Sequence, residues 1–281
     1  MGRMILDGKI VADRWIKELA ARAKGKKIRL GCLLVGEDEP SVIYVRAKQK
    51  RAAEAGIGFD LIHMPEKTSQ KALLGEIARL NADDGTSGML VQLPLPPHMD
   101  KAAVIEAIDP EKDVDGFHPH NIGLLHAGVE RIAAATPLGI IRLMEHYKIK
   151  IQGRRAAVVG ASDIVGKPMA AMLLNRGATI TIAHEGTKNL KEITREADIL
   201  VAAAGKPKLI KGDFIKPGAC VIDVGTNKVG GHLVGDVDYK AASEIAGAIT
   251  PVPGGVGPMT IAALLENTIN AWERRRVVRK V

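Results

Sequence analysis

Short β-branched apolar runs alternate with amphipathic segments along most of the chain. In the first half, the strand-like runs are residues 28–35, 59–63 and 88–93. The helical segments between them are residues 11–23, 41–55 and 69–80. Gly25 and Gly56 follow two of these segments, where glycine commonly forms a left-handed cap. This alternation predicts an α/β fold with mostly parallel sheets.

The same alternation restarts in the second half. The strand-like runs there are residues 155–160, 178–183, 198–203 and 219–224. Helical patterns cover residues 168–175 and 190–197. Thr136 and Pro137 predict a helix start, with Thr as the cap and Pro at the first position. This helix runs to about Tyr147 and connects the halves, and a last helix is predicted from Met259 to about Arg275.

A chain of 281 residues is long for one compact core, so two domains are expected. We predict an N-terminal α/β catalytic domain over residues 1–135. A Rossmann-like, parallel-sheet dinucleotide-binding domain is predicted over residues 136–258.

Composition removes several classes of protein. The longest apolar runs are far too short to cross a bilayer, and the N-terminus lacks the apolar core of a signal peptide, so the cytoplasm is the expected location. Cys32 and Cys220 lie far apart in apolar runs and are expected to be buried thiols. Neither belongs to a Cys/His cluster, and no metal site is predicted.

The formal net charge of +8 includes a basic cluster near the C-terminus: Arg274, Arg275, Arg276, Arg279 and Lys280. A basic surface suits nucleic acid or small polyanions such as nucleotides. Only eight residues are aromatic and no nucleic-acid-binding motif accompanies the cluster, so we predict no nucleic-acid partner.

The stretch RRAAVVGASDIVGKPMAAMLLNRG is typical of a strand, a tight turn and a helix. Gly160 permits the turn, Ser162 or Asp163 can cap the helix, and Gly166 permits close packing of helix on strand. N–H groups at such a helix start favour a pyrophosphate. The spacing G-x-S-x-x-x-G meets the dinucleotide fingerprint only in part, and an ordinary βαβ turn remains the alternative.

Glu185 directly follows the second strand of this half. A carboxylate there can accept hydrogen bonds from an adenosine ribose and would repel a 2′-phosphate, which favours NAD over NADP. Lys188 lies close enough in sequence to weaken that repulsion. The alternative is a solvated glutamate in a loop.

Ser41, Tyr44 and Lys48 fall on one face of a predicted helix. A lysine becomes a useful acid or base near neutral pH when burial or another cation lowers its pKa. The alternative is a surface lysine whose stem packs beside a tyrosine.

Further candidate residues follow in loops. Gln92 ends a strand ahead of a proline-rich segment, where open α/β sheets bind ligands. Asp113 and Asp115 lie in a loop bounded by Gly and Pro, as a turn device, a hydrogen-bond clamp or, least favoured, a metal site. The segment ITPVPGGVGPMT is a stiff loop whose glycines allow close approach to a flat ligand.

Taken together, these segments resemble the bifunctional methylenetetrahydrofolate dehydrogenase–cyclohydrolase family. The matching stretches, in family order over nearly the whole chain, are SVIYVRAKQK, GMLVQLPLP, EKDVDGFHP, TPLGI, VVGASDIVGKP, VIDVG and ITPVPGGVGPMT. The resemblance implies oxidation of 5,10-methylenetetrahydrofolate to the 5,10-methenyl form with NAD(P), followed by hydrolysis to 10-formyltetrahydrofolate. It also implies a homodimer, and a C-terminal helix over residues 259–281 that packs on the first domain.

The resemblance assigns roles to individual residues. Lys48 is the general acid–base, Gln92 positions it, Tyr44 stacks on the folate and Asp115 holds the pterin ring. The implied folate contacts also include Gly255 and Pro258, and the implied cofactor contacts are Gly160, Ala161, Ser162, Glu185 and Thr226.

Two positions depart from the family pattern. Thr226 stands where members usually carry Ile, and Glu185 where many NADP-using members carry Arg or a small hydroxyl residue. The family default, NADP, is the expected cofactor, and Glu185 makes NAD its rival. Two other functions stay open: another two-domain NAD(P) dehydrogenase, and a non-enzymatic nucleotide- or nucleic-acid-binding module.

Overall fold

A computed structural model describes residues 4–278 of the chain. Its strands are β1 Met4–Ile5, β2 Arg29–Val35, β3 Gly58–Met64, β4 Gly88–Val91, β5 Arg155–Val159, β6 Thr179–Ala183, β7 Ile199–Ala202, β8 Cys220–Asp223, β9 Asn227–Val229, β10 His232–Val234 and β11 Ala248–Ile249. Its helices are α1 Gly8–Ala23, α2 Glu39–Glu54, α3 Gln70–Ala82, α4 Lys101–Glu106, α5 Pro119–His126, α6 Ala135–His146, α7 Gly166–Asn175, α8 Leu190–Arg195, α9 Tyr239–Ala242 and α10 Val256–Val278.

One compact unit, the nucleotide unit, contains residues 4–13 and 136–260. Its six-stranded sheet has the order β1-β11-β8-β7-β5-β6, and every neighbouring pair is parallel. β7 and β8 are buried along their whole length, as expected of central parallel strands covered on both faces. This sheet confirms the predicted Rossmann-like architecture. The short antiparallel hairpin of β9 and β10 was not predicted.

The unit that contains the amino-terminal residues is not the one to which the predicted division at residue 135 assigns them. Residues 4–13 group with the nucleotide unit because β1 pairs in parallel with β11. The Met4 N–H donates to the Gly247 carbonyl at 2.9 Å, and the Leu6 N–H donates to that of Ile249 at 2.8 Å. A strand of two residues has no periodicity that a sequence pattern could reveal.

The second unit, the lysine unit, contains residues 14–135 and 261–278. Its parallel sheet has the order β3-β2-β4, and β2 is buried from Leu30 to Val35. A further segment continues the ladder beside β4: the Met89 N–H donates to the Lys112 carbonyl at 2.7 Å, and the Val114 N–H donates to the Met89 carbonyl at 3.3 Å. The residues after Val114 are thereby brought to the carboxyl edge of the sheet.

The last helix starts at Val256, three residues before the predicted start. Pro258 therefore lies in its first turn, where a proline needs no N–H partner. In the lysine unit, the buried Asn267 amide donates to the carbonyls of Val114 and Ala133 at 2.9 and 2.8 Å. These bonds tie α10 to the loop that carries Asp115.

Part of the basic cluster is engaged within the chain itself. Arg274 donates to the Arg131 carbonyl at 2.5 Å, and Arg275 donates to that of Thr86 at 2.7 Å. The Arg279 and Lys280 positions of the predicted cluster lie outside the described residues. Among the helices of residues 4–278, none has both the length and the apolar content needed to cross a membrane.

Candidate active site

Helix α2 presents one buried face, and its start is secured by Asp38. The Asp38 Oδ2 accepts hydrogen bonds from the Ser41 N–H at 3.0 Å and from its hydroxyl at 2.7 Å. Such an N-cap satisfies a free N–H group of the first turn. The buried residues then recur at helical spacing: Ser41, Val45, Lys48 and Ala52.

Lys48 is 4% exposed, so the surface-lysine alternative does not hold. Its Nζ lies 3.1 Å from the Gln92 Oε1 and 5.3 Å from the centroid of the Tyr44 ring. Within the described residues, the Gln92 oxygen is its single hydrogen-bond acceptor. An ammonium carries three donors, so this contact leaves N–H groups available to a substrate or water.

Gln92 is placed by the end of β4. Its N–H donates to the Leu33 carbonyl at 2.8 Å, which continues the ladder one residue past the strand. Its side-chain Nε2 donates to the Leu93 carbonyl at 2.7 Å. With the amide nitrogen held this way, the amide oxygen faces Lys48.

The two aspartates of the loop after β4 have different environments. Asp113 is buried and accepts hydrogen bonds from the Gly116 N–H, the His118 N–H and the Asn121 amide at 3.1, 2.8 and 3.0 Å. Through these bonds Asp113 stabilises the turn. Burial raises the pKa of its carboxyl despite these donors.

Asp115 interacts with Lys48 instead. Burial raises the pKa of Asp115 to about 6, the positive charge of Lys48 opposes this shift, and Asp113 adds to it. Cys32 on β2 responds to the same pair: burial raises the pKa of its thiol to about 12, Lys48 lowers it and Asp115 raises it. Both cysteines are buried free thiols, as predicted.

The lysine unit thus contains four of the predicted catalytic residues, namely Lys48, Tyr44, Gln92 and Asp115. The candidate folate residues Gly255 and Pro258 belong to the nucleotide unit, on the loop before α10 and in its first turn. Across residues 4–278, no group of three or more His, Cys, Asp or Glu side chains is arranged to hold a metal ion.

The turn after β5 has the tight backbone that a dinucleotide site requires. Gly160 has φ +123°, and a Cβ there would meet the Ala203 carbonyl oxygen. A Cβ on Gly166 would meet the Gly160 carbonyl. The first and last glycines of the motif therefore serve the turn and the helix–strand packing, as in dinucleotide-binding turns.

Ser162 shapes the start of α7. Its Oγ accepts hydrogen bonds from the N–H groups of Val165 and Gly166 at 3.2 and 3.4 Å, although the N-cap residue itself is Val165. The side chain of Ser162 remains exposed and that of Ala161 half-buried. A tight glycine turn leading into a ten-residue helix fits the phosphates of a dinucleotide.

Glu185 follows β6 and has a partner that the sequence did not suggest. The Lys206 Nζ, from the loop after β7, lies 3.2 Å from the Glu185 Oε1, and the Glu185 side chain is 88% exposed. Lys188 was the expected neighbour. The sequence alone does not indicate Lys206, because its closeness to Glu185 depends on the order of strands in the sheet. β7, which precedes Lys206, lies on the opposite side of β5 from β6, which precedes Glu185.

Thr226 is exposed at the carboxyl end of β8, directly before β9. Two buried carboxylates bind its neighbours: Asp223 accepts a hydrogen bond from the Gly225 N–H, and Asp236 accepts one from the Asn227 side-chain amide. Sequence reasoning missed both, because acidic residues in a glycine-rich segment are ordinary turn formers.

Comparisons with known proteins identify the family of the chain. The model of the tetrahydrofolate dehydrogenase/cyclohydrolase catalytic domain matches residues 6–115, and that of the family's NAD(P)-binding domain matches residues 134–276. The chain therefore belongs to the tetrahydrofolate dehydrogenase/cyclohydrolase family. This confirms the resemblance drawn from the motifs and the two-domain α/β class.

Similar proteins cover the chain nearly end to end. A relative named bifunctional protein FolD from Halothermothrix orenii is 54% identical over 278 residues, which span 96% of this chain and 98% of the relative. The crystal structure of the bifunctional FolD methylenetetrahydrofolate dehydrogenase/cyclohydrolase from Campylobacter jejuni has a TM-score of 0.95 at 45% identity, covering 98% of this chain and all of the other.

A FolD structure from Trypanosoma brucei, complexed with NADP cofactor and an inhibitor, has a TM-score of 0.93 at 40% identity. It covers 98% of this chain and 99% of the other.

Proposed function

We propose that Lys48 is the acid–base group of an enzyme that oxidises 5,10-methylenetetrahydrofolate to the 5,10-methenyl form and hydrolyses the product to 10-formyltetrahydrofolate. One observation carries the assignment: a buried amine, held by the Gln92 amide and the Tyr44 ring, with donors left for a substrate. General acid–base groups of this kind contribute roughly 10²–10⁴-fold to a rate.

In the hydrolytic step, water adds to the methenyl carbon and one C–N bond of the bridge then breaks. The attacking water gives up both of its protons as the formyl C=O forms: one is released, and the other passes to the departing ring nitrogen. The Lys48 Nζ moves these protons, and Gln92 keeps it aimed at the reacting carbon by accepting one of its hydrogen bonds. The Tyr44 ring stacks on the folate, and Asp115 holds the pterin.

In the oxidative step, a lone pair on a folate nitrogen expels hydride from the methylene carbon, so no protein nucleophile is required. A bound nicotinamide would supply the acceptor for that hydride. The chain's own part is orientation: Gly160, Ala161 and Ser162 would hold the phosphates, and Thr226 would stand beside the nicotinamide. Gly255 and Pro258 are further candidate folate-binding residues, as the family pattern implies.

The cofactor we propose is NADP. Glu185 alone would repel a 2′-phosphate, but the Lys206 Nζ lies 3.2 Å from that carboxylate and offers a cation to a phosphate at the same place. The similar trypanosome structure has NADP as its cofactor. On this proposal, Lys206→Met raises the KM for NADP about ten-fold and hardly changes that for NAD, whereas Glu185→Gln lowers the KM for NADP.

The proposed function is tested by following methenyl absorbance with methylenetetrahydrofolate and NADP or NAD, and hydrolysis separately with methenyltetrahydrofolate. We expect turnover in both assays. A chain that oxidises another substrate, such as shikimate, and leaves folates unchanged would be a different two-domain dehydrogenase. Steeply salt-dependent RNA or DNA binding without turnover would instead support a binding module.

The enzyme further acts as a homodimer in the cytoplasm and has no nucleic-acid partner. Residues 14–135 and 261–278 form the folate half, and residues 4–13 and 136–260 form the cofactor half. Light scattering during gel filtration should give twice the 29.9 kDa mass of the chain. A mass near that of one chain across micromolar concentrations would contradict the dimer.

A further inference from the structure

Two loops at the carboxyl ends of β7 and β8 are joined by one buried side chain. The Asp236 carboxylate is 0% exposed. Its Oδ2 accepts hydrogen bonds from the Ala204 and Gly205 N–H groups at 2.6 and 2.8 Å, directly after β7. Its Oδ1 accepts one at 2.8 Å from the Asn227 amide, just after Thr226.

The first of these loops also touches the phosphate turn. The Ala203 N–H donates to the Val159 carbonyl at 2.7 Å, and the Ala203 carbonyl occupies the place of a Cβ on Gly160. The position of residues 203–205 therefore sets the position of the turn at Gly160. Asp236 reaches that turn through backbone contacts, although it is distant in sequence.

Asp236 is itself held from both sides. Its N–H donates at 2.9 Å to the Oδ1 of the buried Asp223, and its carbonyl accepts from the Ile210 N–H at 2.9 Å. Asp223 also accepts hydrogen bonds from the Gly225 and Val237 N–H groups at 3.0 Å each. The two carboxylates thus connect the loops after β7, β8 and β10 in one network.

Burying a charged carboxylate is costly unless hydrogen bonds compensate it. A hydrophobic side chain would fill this space at less cost, but it could not bind N–H groups from two loops at once. Ligands of open parallel sheets bind at this carboxyl edge, so the loops that Asp236 joins are those that would face a dinucleotide.

We propose that Asp236 is a positioning residue for the oxidative step: it sets the loop at Ala204–Gly205, which supports the phosphate turn, against the loop at Thr226. This inference rests on the proposed function. Because hydride transfer is sensitive to misplacement of the reacting groups by about 1 Å, loss of this bridge should impair oxidation strongly. Hydrolysis uses Lys48 in the other unit and consumes no nicotinamide, so it should be spared.

The test compares the two activities of one protein. In Asp236→Ala, kcat/KM for NADP-dependent oxidation should fall about 100-fold, while the cyclohydrolase rate stays within about two-fold of the wild-type value. Asp238→Ala, two residues on and half-buried, is the matched control and should change neither. Equal losses in both activities, or an unchanged oxidation rate, would overturn the proposal.

A milder variant covers the case in which Asp236→Ala does not fold. Asn227→Ala removes the far end of one hydrogen bond from a half-buried position and leaves the carboxylate in place. Oxidation should fall about five- to ten-fold with hydrolysis unchanged, and an unchanged oxidation rate would count against the bridge. NADPH binding, followed by its fluorescence, should weaken in parallel.

The binding measurement separates this proposal from the proposed function. A wild-type protein inactive in both folate assays would refute the function. Weaker NADPH binding by Asn227→Ala than by wild type would then still support the bridge, and equal binding would overturn it.

Discussion

Two buried lysines of the same unit have opposite hydrogen-bonding environments. Lys112 is 2% exposed, and its Nζ donates to the carbonyls of Leu80, Asn81 and Asp83 at 2.7, 2.7 and 2.8 Å. These carbonyls lie at the C-terminus of α3, where they lack partners within the helix. Lys48 is about as buried but has one amide oxygen and an aromatic face.

The comparison shows that burial alone does not mark a catalytic lysine. In Lys112 each N–H of the ammonium is used by the fold, so no donor remains for chemistry. In Lys48 the fold uses one donor and leaves the rest. The same contrast separates Asp113 from Asp115. Asp113 accepts hydrogen bonds from two backbone N–H groups of its loop and from the Asn121 side chain of α5, whereas the pKa of Asp115, about 6, reflects burial near Lys48.

The largest expected effect is on Lys48 itself. In Lys48→Met, the cyclohydrolase rate should fall about a thousand-fold because the proton carrier is gone. NADPH binding should stay within about two-fold of wild type, since those contacts lie in the other unit. Lys50→Met, an exposed lysine of the same helix, is the control. An unchanged hydrolysis rate in Lys48→Met would refute the assignment.

Lys112→Met should show the reverse pattern. Three carbonyls lose their buried donor, so the free energy of unfolding should fall by about 3 kcal/mol in urea titrations. The hydrolysis rate per folded molecule should remain near that of wild type. Lys101→Met, at an exposed position, should leave the stability unchanged. If Lys112→Met were as stable as wild type, the structural role would be wrong.

The raised pKa of Asp115 predicts that substrate binding and stability depend on pH. Its pKa in the folded protein is about 6, above the ordinary 3.8, so it takes up a proton as the pH falls through 6. The KM for methylenetetrahydrofolate should therefore rise below about pH 6, and this rise should be absent in Asp115→Asn. Because the unfolded chain ionises first, the contribution of Asp115 to stability should decrease as the pH rises from about 4 to 6. A pH profile shared by wild type and Asp115→Asn would contradict this account.

The smallest effect should come from Tyr44. Its ring contributes a cation–π contact to Lys48, which is worth about 0.5–2 kcal/mol. Tyr44→Phe keeps the ring, so the hydrolysis rate should stay within about three-fold of wild type. Tyr44→Leu should lose about ten-fold. Ile43→Ala, at the exposed neighbouring position, serves as the control, and equal losses in Phe and Leu variants would exclude the ring as the cause.

Local patterns in the chain determined the element types of both units. Alternating strands and helices predicted the α/β class, and the i, i+3, i+7 spacing placed Tyr44 and Lys48 on one helix face. Glycines with positive φ or close backbone neighbours were also readable, as at Gly160. These features depend on neighbouring residues, so the sequence contains them directly.

Only the tertiary structure determined which residues distant in sequence contact one another. It paired β1 with β11, placed Lys206 beside Glu185, and brought Asp236 to the loops after β7 and β8. It also gave Lys48 and Lys112 different surroundings, and likewise Asp115 and Asp113. Composition and spacing cannot distinguish the members of either pair. The physical reason is that desolvation and hydrogen-bond satisfaction depend on all groups within a few ångströms, and most of those groups come from remote parts of the chain.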